Sequence, residues 1–474
     1  MTILKSMVAN TAARSATEIV NRLGSAIFWI FIARYLGPSG LGSLAFALSL
    51  YNLFSTVSTL GLNAVVIRDV SRDHSKAGQY FGHTMIFGFI SSIFFAGLMI
   101  LTAKLIQPGK DTLFITILLA IVIVPTSGFI WSRAILSAAE KMGYIAIAKS
   151  AENIFKVALG VFFLLHGYGV RTIALIVAAS KIVSFAVCYF YANAQVVRPK
   201  WKIQRSLVTY LVKQVPSFSM IAIFNALFWA LTVILLTKLR GEAEAGLYSA
   251  AFKFVDICIS FAAAYGGALF PVSSRILKTN PEIFERLFKK SIKYISILTI
   301  AIAAGTNILA PNLIHLLFGP RMHDAIPVLQ VLIWLIVPFS LIPVFAYSLI
   351  NNHLQNKDLT ANFLATASVL LFNLLLIPQL HALGAAIATL SGCIIFFAVE
   401  FYWVEKELLR LKFSAEMLKP IFGAVLMSAA VITLKNVHPV LAVLAGGSIY
   451  IGFLWFSHTI TNYEIALLKQ LKSN

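Results

Sequence analysis

The chain has 474 residues, of which 59% are hydrophobic and 12% are charged. A soluble domain carries about a quarter charged residues, so this composition excludes an ordinary soluble protein and predicts one embedded in lipid. The formal net charge of +20 would favour nucleic acid as a partner in a soluble protein. Here most Lys and Arg residues lie in short connections between apolar segments, so we expect anionic membrane lipids as partners and no nucleic acid.

Apolar segments recur along the whole chain, and each is long enough to cross a hydrocarbon core of about 30 Å as a helix. The predicted spans are 12–36, 39–62, 80–106, 111–137, 144–166, 170–194, 206–238, 244–270, 288–310, 324–351, 359–378, 382–404, 416–435 and 438–460. The sequence therefore predicts an all-α integral membrane fold of about 14 transmembrane helices.

Basic residues are distributed unequally between the two sides of these spans. The termini and one set of connections hold 24 Lys and Arg residues, and the other set holds 8. The positive-inside rule places the richer set in the cytoplasm, so both termini are expected there.

The two halves of the chain resemble each other. A shift of 204 residues places Gly37 on Gly241, Gly42 on Gly246 and Asn52 on Asp256, and a shift of 215 places Gly169 on Gly384. The nearly constant offset predicts a duplicated six-helix unit with parallel topology. The expected parts are an N-lobe at 1–200 (helices 1–6), a C-lobe at 201–410 (helices 7–12) and two further helices in 411–474.

The first span carries one polar stripe on an otherwise apolar helix. Its members lie within about 100° of one another at 100° per residue, and they are Arg14, Glu18, Asn21, Arg22, Ser25 and Trp29. The stripe either lines a hydrated cavity and meets an anion, or Glu18 pairs with both arginines and the cluster extends to the cytoplasmic surface.

The eighth span repeats this pattern with Lys253 and Asp256 on one face, and the counterpart of Asp256 in the first half is the uncharged Asn52. The pair is either a neutral structural bridge or a functional site, and its cost within a membrane favours function.

Other charged residues within the spans allow a structural interpretation. The fifth span carries Lys149, Glu152, Asn153 and Lys156 on one face, which fits an ion-pair ladder as well as a ligand site. Lys181 and Lys213 can extend to the membrane surface. Glu400 is a further charge within a span.

Enzyme signatures are missing from the sequence. It contains no GxxxxGK[ST] nucleotide loop and no HExxH or GxSxG motif, so we expect neither an enzyme nor a bound cofactor. Cys188, Cys258 and Cys393 lie far apart in apolar segments without metal-ligand spacing, so no metal site is expected.

A family resemblance begins near the end of the first span. The segment ARYLGPSGLGSLAFALSLYNLFSTVSTLGLNAVVIRDVSRD (33–73) resembles the opening of bacterial polysaccharide (O-antigen) repeat-unit flippases of the Wzx type, and LRGEAEAGLYSAAFKFVD (239–256) is similar to their repeat of it. The resemblance covers nearly the whole chain. These flippases belong to the multidrug/oligosaccharidyl-lipid/polysaccharide (MOP) exporter superfamily.

The resemblance implies two six-helix lobes that form a V-shaped central cavity in the cell inner membrane and work by alternating access. The implied substrate is an undecaprenyl-diphosphate-linked oligosaccharide, and polysaccharide polymerase or assembly proteins are implied partners. Arg14, Arg22 and Lys253 would then meet the diphosphate, with Asn21 and Asn52 beside them. Glu18 and Asp256 would be candidates for coupling to H+ or Na+.

Three other functions remain open. They are a lipid II flippase, a MATE-like cation-coupled drug exporter, and a membrane protein that does not transport, such as a sugar polymerase.

Overall fold

The structure is a computed structural model, and it describes residues 2–202, 204–259, 281–352, 354–408, 419–435, 438–457 and 459. Side chains are described for these residues except 2–20, 22, 23, 212, 214–218, 221, 281 and 283. The described residues are mostly helical and contain no β-strand.

The helices are α1 (Thr2–Ser58), α2 (Leu62–Arg72), α3 (Ala77–Ile106), α4 (Lys110–Ala138), α5 (Met142–Leu165), α6 (Val170–Gln195), α7 (Arg205–Arg240), α8 (242–259), α9 (Pro281–Phe318), α10 (Ala325–Leu332), α11 (Ile336–Asn351), α12 (Gln355–Glu407), α13 (Lys419–Leu434) and α14 (Pro439–Phe456). Within the described ranges, each of the fourteen predicted spans coincides with helical backbone, so the all-α membrane fold is confirmed. Nine helical stretches in this part of the chain are long and apolar enough to cross a membrane. Helices prevail because the hydrocarbon core offers no water to satisfy free backbone groups.

Two of the helices each contain a pair of predicted spans joined at a sharp kink. In α1 the kink lies at Gly37, with φ of 67°. Glycine adopts this left-handed conformation at no steric cost, and Pro38 then begins the next helical arm with its φ already fixed. In α12 the kink lies at His381, with φ of 53°. The predicted boundaries at 36/39 and 378/382 bracket these kinks.

The chain divides into two compact units. The first comprises Met1–Lys253 with Val369–Ala385, and the second comprises Phe254–Ser368 with Ala386–Asn474. The lobe limits inferred from the repeat remain predictions.

Each unit has its own apolar core. In the first unit, buried side chains of α2, α3, α4 and α6 pack around Trp131. In the second, α9 and α11 pack together with the end of α12 around Phe345, and α13 and α14 pack on α9.

Two glycines in the first unit make a reciprocal backbone contact. A Cβ atom on Gly42 would overlap the carbonyl group of Glu242, and one on Gly246 would overlap the carbonyl group of Pro38. Both glycines and both of their partners are related by the 204-residue offset. Two copies related by a twofold axis would give such a reciprocal contact, so it favours the duplication inferred from the sequence.

The side chain of Glu242 joins the same junction to the start of α4. Its Oε1 atom accepts a hydrogen bond of 2.8 Å from the backbone N–H of Gly109 and another from the hydroxyl of Thr112. A carboxylate at this position satisfies backbone donors that the first helical turn leaves free.

Candidate functional site

A cavity of about 470 Å³ lies within the first unit. Five helices line it: α1, α5, α6, α7 and α8. The lining side chains are Phe28, Trp29, Ala45, Leu48, Ser49, Asn52, Thr56, Lys156, Val177, Lys181, Asn225, Ala226, Trp229, Ala230, Val233, Tyr248, Ser249, Phe252 and Lys253.

Much of the lining consists of positions related by the 204-residue offset. The pairs are Trp29 and Val233, Ala45 and Ser249, Leu48 and Phe252, and Ser49 and Lys253. Both copies of the repeat therefore build the cavity. In these pairs only the second copy contributes a charge, so the site is chemically asymmetric.

The charge of the lining has a single sign. Lys156, Lys181 and Lys253 contribute ammonium groups, and no Asp or Glu is among the lining residues whose side chains the structure describes. Cationic side chains within membrane spans usually face a cavity or a partner because exposure to lipid is costly. An excess of ammonium groups in a confined space attracts anions.

Lys181 is held by an ion pair behind the cavity wall. Its Nζ lies 2.6 Å from one oxygen of Glu152, and the Nζ of Lys149 lies 3.1 Å from the other. Glu152 is 5% exposed. One carboxylate thus balances one of the two lysines, and Lys181 contributes less free charge to the cavity than its position suggests.

Lys156 lies on α5, about one helical turn beyond Glu152, and has a different environment. Its Nζ lies 5.5 Å from the ring centroid of Phe28 and 3.4 Å from the hydroxyl of Ser25. Phe28 itself packs against Gly160, where a Cβ atom would overlap its ring. Among the residues whose side chains the structure describes, no carboxylate forms a salt bridge with Lys156.

Lys253 lies over an aromatic ring. Its Nζ is 4.6 Å from the ring centroid of Trp29, a distance at which cation and ring attract each other. Further aromatic side chains follow along the wall, with Phe252 centred 5.4 Å from Trp229 and 6.0 Å from Tyr248. Aromatic faces beside cations suit a ligand that combines sugar rings with an anionic group.

Some of the site residues predicted from the sequence come together at this cavity. Lys253 and Asn52 both line it. Asn21 faces α5 instead: its side-chain amide donates a hydrogen bond of 3.1 Å to Ser150, and its backbone carbonyl accepts one of 2.9 Å from Asn153.

The remaining predicted residues are not among the cavity lining. Asp256 is half-buried on α8, three residues beyond Lys253. The side chains of Arg14, Glu18 and Arg22 lie outside the described residues. The binding and coupling roles assigned to all these residues therefore stay predictions.

Sequence reasoning did not assign Lys156 and Lys181 to the site. The predicted ion-pair ladder on α5 is present between Lys149 and Glu152, and Lys156 extends the same face into the cavity. Lys181 turns to Glu152 rather than to the membrane surface, whereas Lys213 is exposed. The polar face of the fifth span is the sequence pattern that could have indicated Lys156. Which neighbouring helices this face contacts depends on tertiary packing.

The fold resembles those of several solved transporters. A structure of the lipid II flippase MurJ in an inward closed conformation superposes with a TM-score of 0.80 at 13% identity, covering 94% of this chain and 98% of that one. An inward-facing multidrug resistance MATE family transporter of the MOP superfamily gives 0.67 at 15% identity, covering 81% and 94%. A MOP superfamily transporter from Pyrococcus furiosus, described as having a binding pocket of reverse polarity, gives 0.61 at 15% identity, covering 83% and 94%.

Sequence similarity identifies one relative and one protein family. The uncharacterized membrane protein MJ1068 of Methanocaldococcus jannaschii is 25% identical over 275 residues, which cover 54% of this chain and about half, 51%, of that protein. The sequence model of the polysaccharide biosynthesis protein family matches residues 7–277, more than half of the chain. The chain therefore belongs to the polysaccharide biosynthesis protein family, and it is a multi-pass membrane protein with the fold of the MOP superfamily transporters.

Proposed function

We propose that this protein flips an undecaprenyl-diphosphate-linked oligosaccharide repeat unit across the cytoplasmic membrane by alternating access, for the assembly of a surface polysaccharide. The observation that carries the proposal is the described part of the cavity lining, which has three lysines and no carboxylate. A diphosphate is anionic at neutral pH, and ammonium groups are strong charge-assisted partners for phosphate oxygens.

We assign different roles in substrate binding to the lining residues. Lys156 and Lys253 would bind the diphosphate, while Lys181, held by Glu152, would contribute less charge. Trp229 and Tyr248 offer aromatic faces to the sugar rings. A volume of about 470 Å³ is that of a site for a drug-sized ligand, so it would hold the diphosphate with the first sugars. The lipid tail would remain in the bilayer.

The expected membrane topology also fits the proposal. The excess of basic residues in one set of connections favours cytoplasmic termini and a location in the inner membrane. Two six-helix lobes around a V-shaped cavity would supply the alternating access. Arg14 and Arg22 would extend the cationic path, and Glu18 and Asp256 are candidates for coupling it to H+ or Na+.

A lipid II flippase is the second candidate, because the likeness to MurJ extends over 94% of this chain. A cationic cavity suits either lipid-linked sugar. Export of cationic drugs is disfavoured, because three lysines would repel a cation that enters the cavity.

Complementation tests the proposal. A strain lacking its own repeat-unit flippase would receive the wild-type chain, Lys156→Gln, Lys253→Gln or the matched control Lys213→Gln, which removes an exposed lysine. We expect surface polysaccharide with wild type and control, and accumulated lipid-linked intermediate with the two cavity variants at equal membrane abundance. Restoration by all four proteins would contradict the role of the cavity lysines. Rescue of a strain lacking a lipid II flippase instead would favour the second candidate.

A further inference from the structure

Two buried carboxyl groups lie together in the second unit. Asp358 stands in the first turn of α12, and Glu400 lies on the other arm of the same helix, beyond the kink. Asp358 is 5% exposed and Glu400 is 0% exposed. The two arms bring the carboxyl groups within hydrogen-bonding range of each other.

The polar partners of this pair are incomplete. Asp358 accepts a hydrogen bond of 3.2 Å from the side-chain amide of Asn362. Neither carboxyl oxygen of Glu400 has a hydrogen-bond donor among the described residues. The Asp358 carboxyl lies within hydrogen-bonding range of Glu400, and a carboxyl group can donate only when it carries a proton.

No basic side chain of the described residues compensates the pair. Lys357 is adjacent in sequence to Asp358, but its Nζ lies 3.6 Å from the ring centroid of Trp403. Near Glu400, the arm of α12 packs its phenylalanines on Phe345 of α11, which in turn meets Phe288 of α9.

Other titratable groups on the packed helices do not reach the pair. On the facing part of α9 and on α11 they are Glu282, Glu285, Arg286, Lys289, Lys290, Lys293, Tyr294 and Tyr347. None of these interacts with either carboxyl. Two like charges in such surroundings are strongly disfavoured, because burial and mutual repulsion both oppose ionisation.

We propose that Asp358 and Glu400 form a proton-binding site, in which one proton is shared and the protonated carboxyl donates to its neighbour. The positions that correspond to them by the 215-residue offset are Gly143 and Phe185, so the pair has no counterpart at those two positions of the first half. The ligand is a proton, which exchanges when the two arms of α12 separate and admit water. If the chain is a flippase as proposed above, this exchange couples transport to a proton gradient.

Infrared spectroscopy of the full chain reconstituted in lipid at neutral pH tests the site without any substrate. The wild type should show the carbonyl stretch of a buried, protonated carboxyl group. Glu400→Gln should remove it, whereas Asp358→Asn should shift it, because the buried Glu400 keeps its proton but loses its carboxylate acceptor. Both variants keep a polar group of similar shape. The matched control Glu405→Gln, an exposed carboxyl on the same helix, should leave the band unchanged.

Two results would overturn the proposal. One is the absence of the band in the wild type, or an unchanged band in both variants. The other is a band that appears only after Na+ is removed, which would identify a sodium site. If one variant does not fold, the other variant and the wild-type spectrum still test the proposed proton-binding site.

A transport measurement tests the coupling separately. In proteoliposomes, an imposed pH gradient should accelerate wild-type flipping of a polyprenyl-diphosphate sugar, and Glu400→Gln should make the rate the same with and without the gradient. A wild-type rate that ignores the gradient would refute coupling while the infrared band still establishes the site. Failure of the wild type to flip any probe would count against the proposed function and leave the infrared result intact.

Discussion

The reciprocal glycine contact predicts a large effect from a single methyl group. In Gly42→Ala the new Cβ atom would meet backbone atoms of Glu242 and Gly246. Backbone cannot rotate aside as a side chain can, so the arm of α1 after Pro38 must move away from α8. Forced overpacking of this kind costs about 1–3 kcal/mol. Displacement of Glu242 from the start of α4 adds about 0.5–1 kcal/mol, as for a lost helix cap.

Thermal unfolding of the purified protein in detergent measures this loss of about 1.5–4 kcal/mol. Gly246→Ala should destabilise the protein to a similar degree, because its Cβ atom would overlap Pro38 in the equivalent contact. Gly97→Ala is the matched control: it lies within a helix, is exposed, and has no atom within 4 Å of the added methyl group. It should be neutral or raise stability by about 0.5–1 kcal/mol. Equal unfolding temperatures for all three variants and the wild type would refute the packing argument.

Two further predictions concern ionised groups in the first unit. Glu152→Ala leaves Lys149 and Lys181 without their shared acceptor, so we expect the free energy of unfolding to fall by about 2–3 kcal/mol. Adding Lys149→Gln should recover part of this loss in thermal unfolding. An unchanged stability would mean that the ion pair contributes nothing. Burial would by itself raise the pKa of Asp69, but hydrogen bonds from Arg68, Tyr210 and Tyr80 outweigh it and lower the pKa. The stability from this ionised group is therefore fully present above about pH 5 and is lost as the pH falls below about 4. Asp69→Asn should remove that part of the pH dependence of unfolding, and an unchanged pH profile would contradict this assignment.

The sequence predicts the fold well because lipid imposes strong constraints on it. Long apolar segments can only be helices in a membrane, so every predicted span meets helical backbone in the described part of the chain. The offset of 204 residues relates Gly42 to Gly246. That their backbones touch depends on tertiary packing, which one sequence does not reveal.

The candidate site was predicted only in part. Lys253 and Asn52 were recognisable as polar positions on apolar helices, and both line the cavity. Lys156 also lies on a polar helical face, but the pattern of one helix does not indicate which neighbouring helices that face contacts. Asp358 falls between the predicted spans 324–351 and 359–378, and only the fold of α12 brings it to Glu400.

The most direct test of the central claim is flipping of a fluorescent polyprenyl-diphosphate sugar by the purified protein in proteoliposomes. A charge-assisted hydrogen bond contributes about 1.5–3 kcal/mol, so Lys156→Gln should slow flipping roughly 10- to 100-fold. The control Lys213→Gln should match the wild type, and a probe with an uncharged linkage in place of the diphosphate should be insensitive to Lys156. Equal rates for Lys156→Gln and the wild type on the diphosphate probe would contradict the cationic cavity as the path of the substrate.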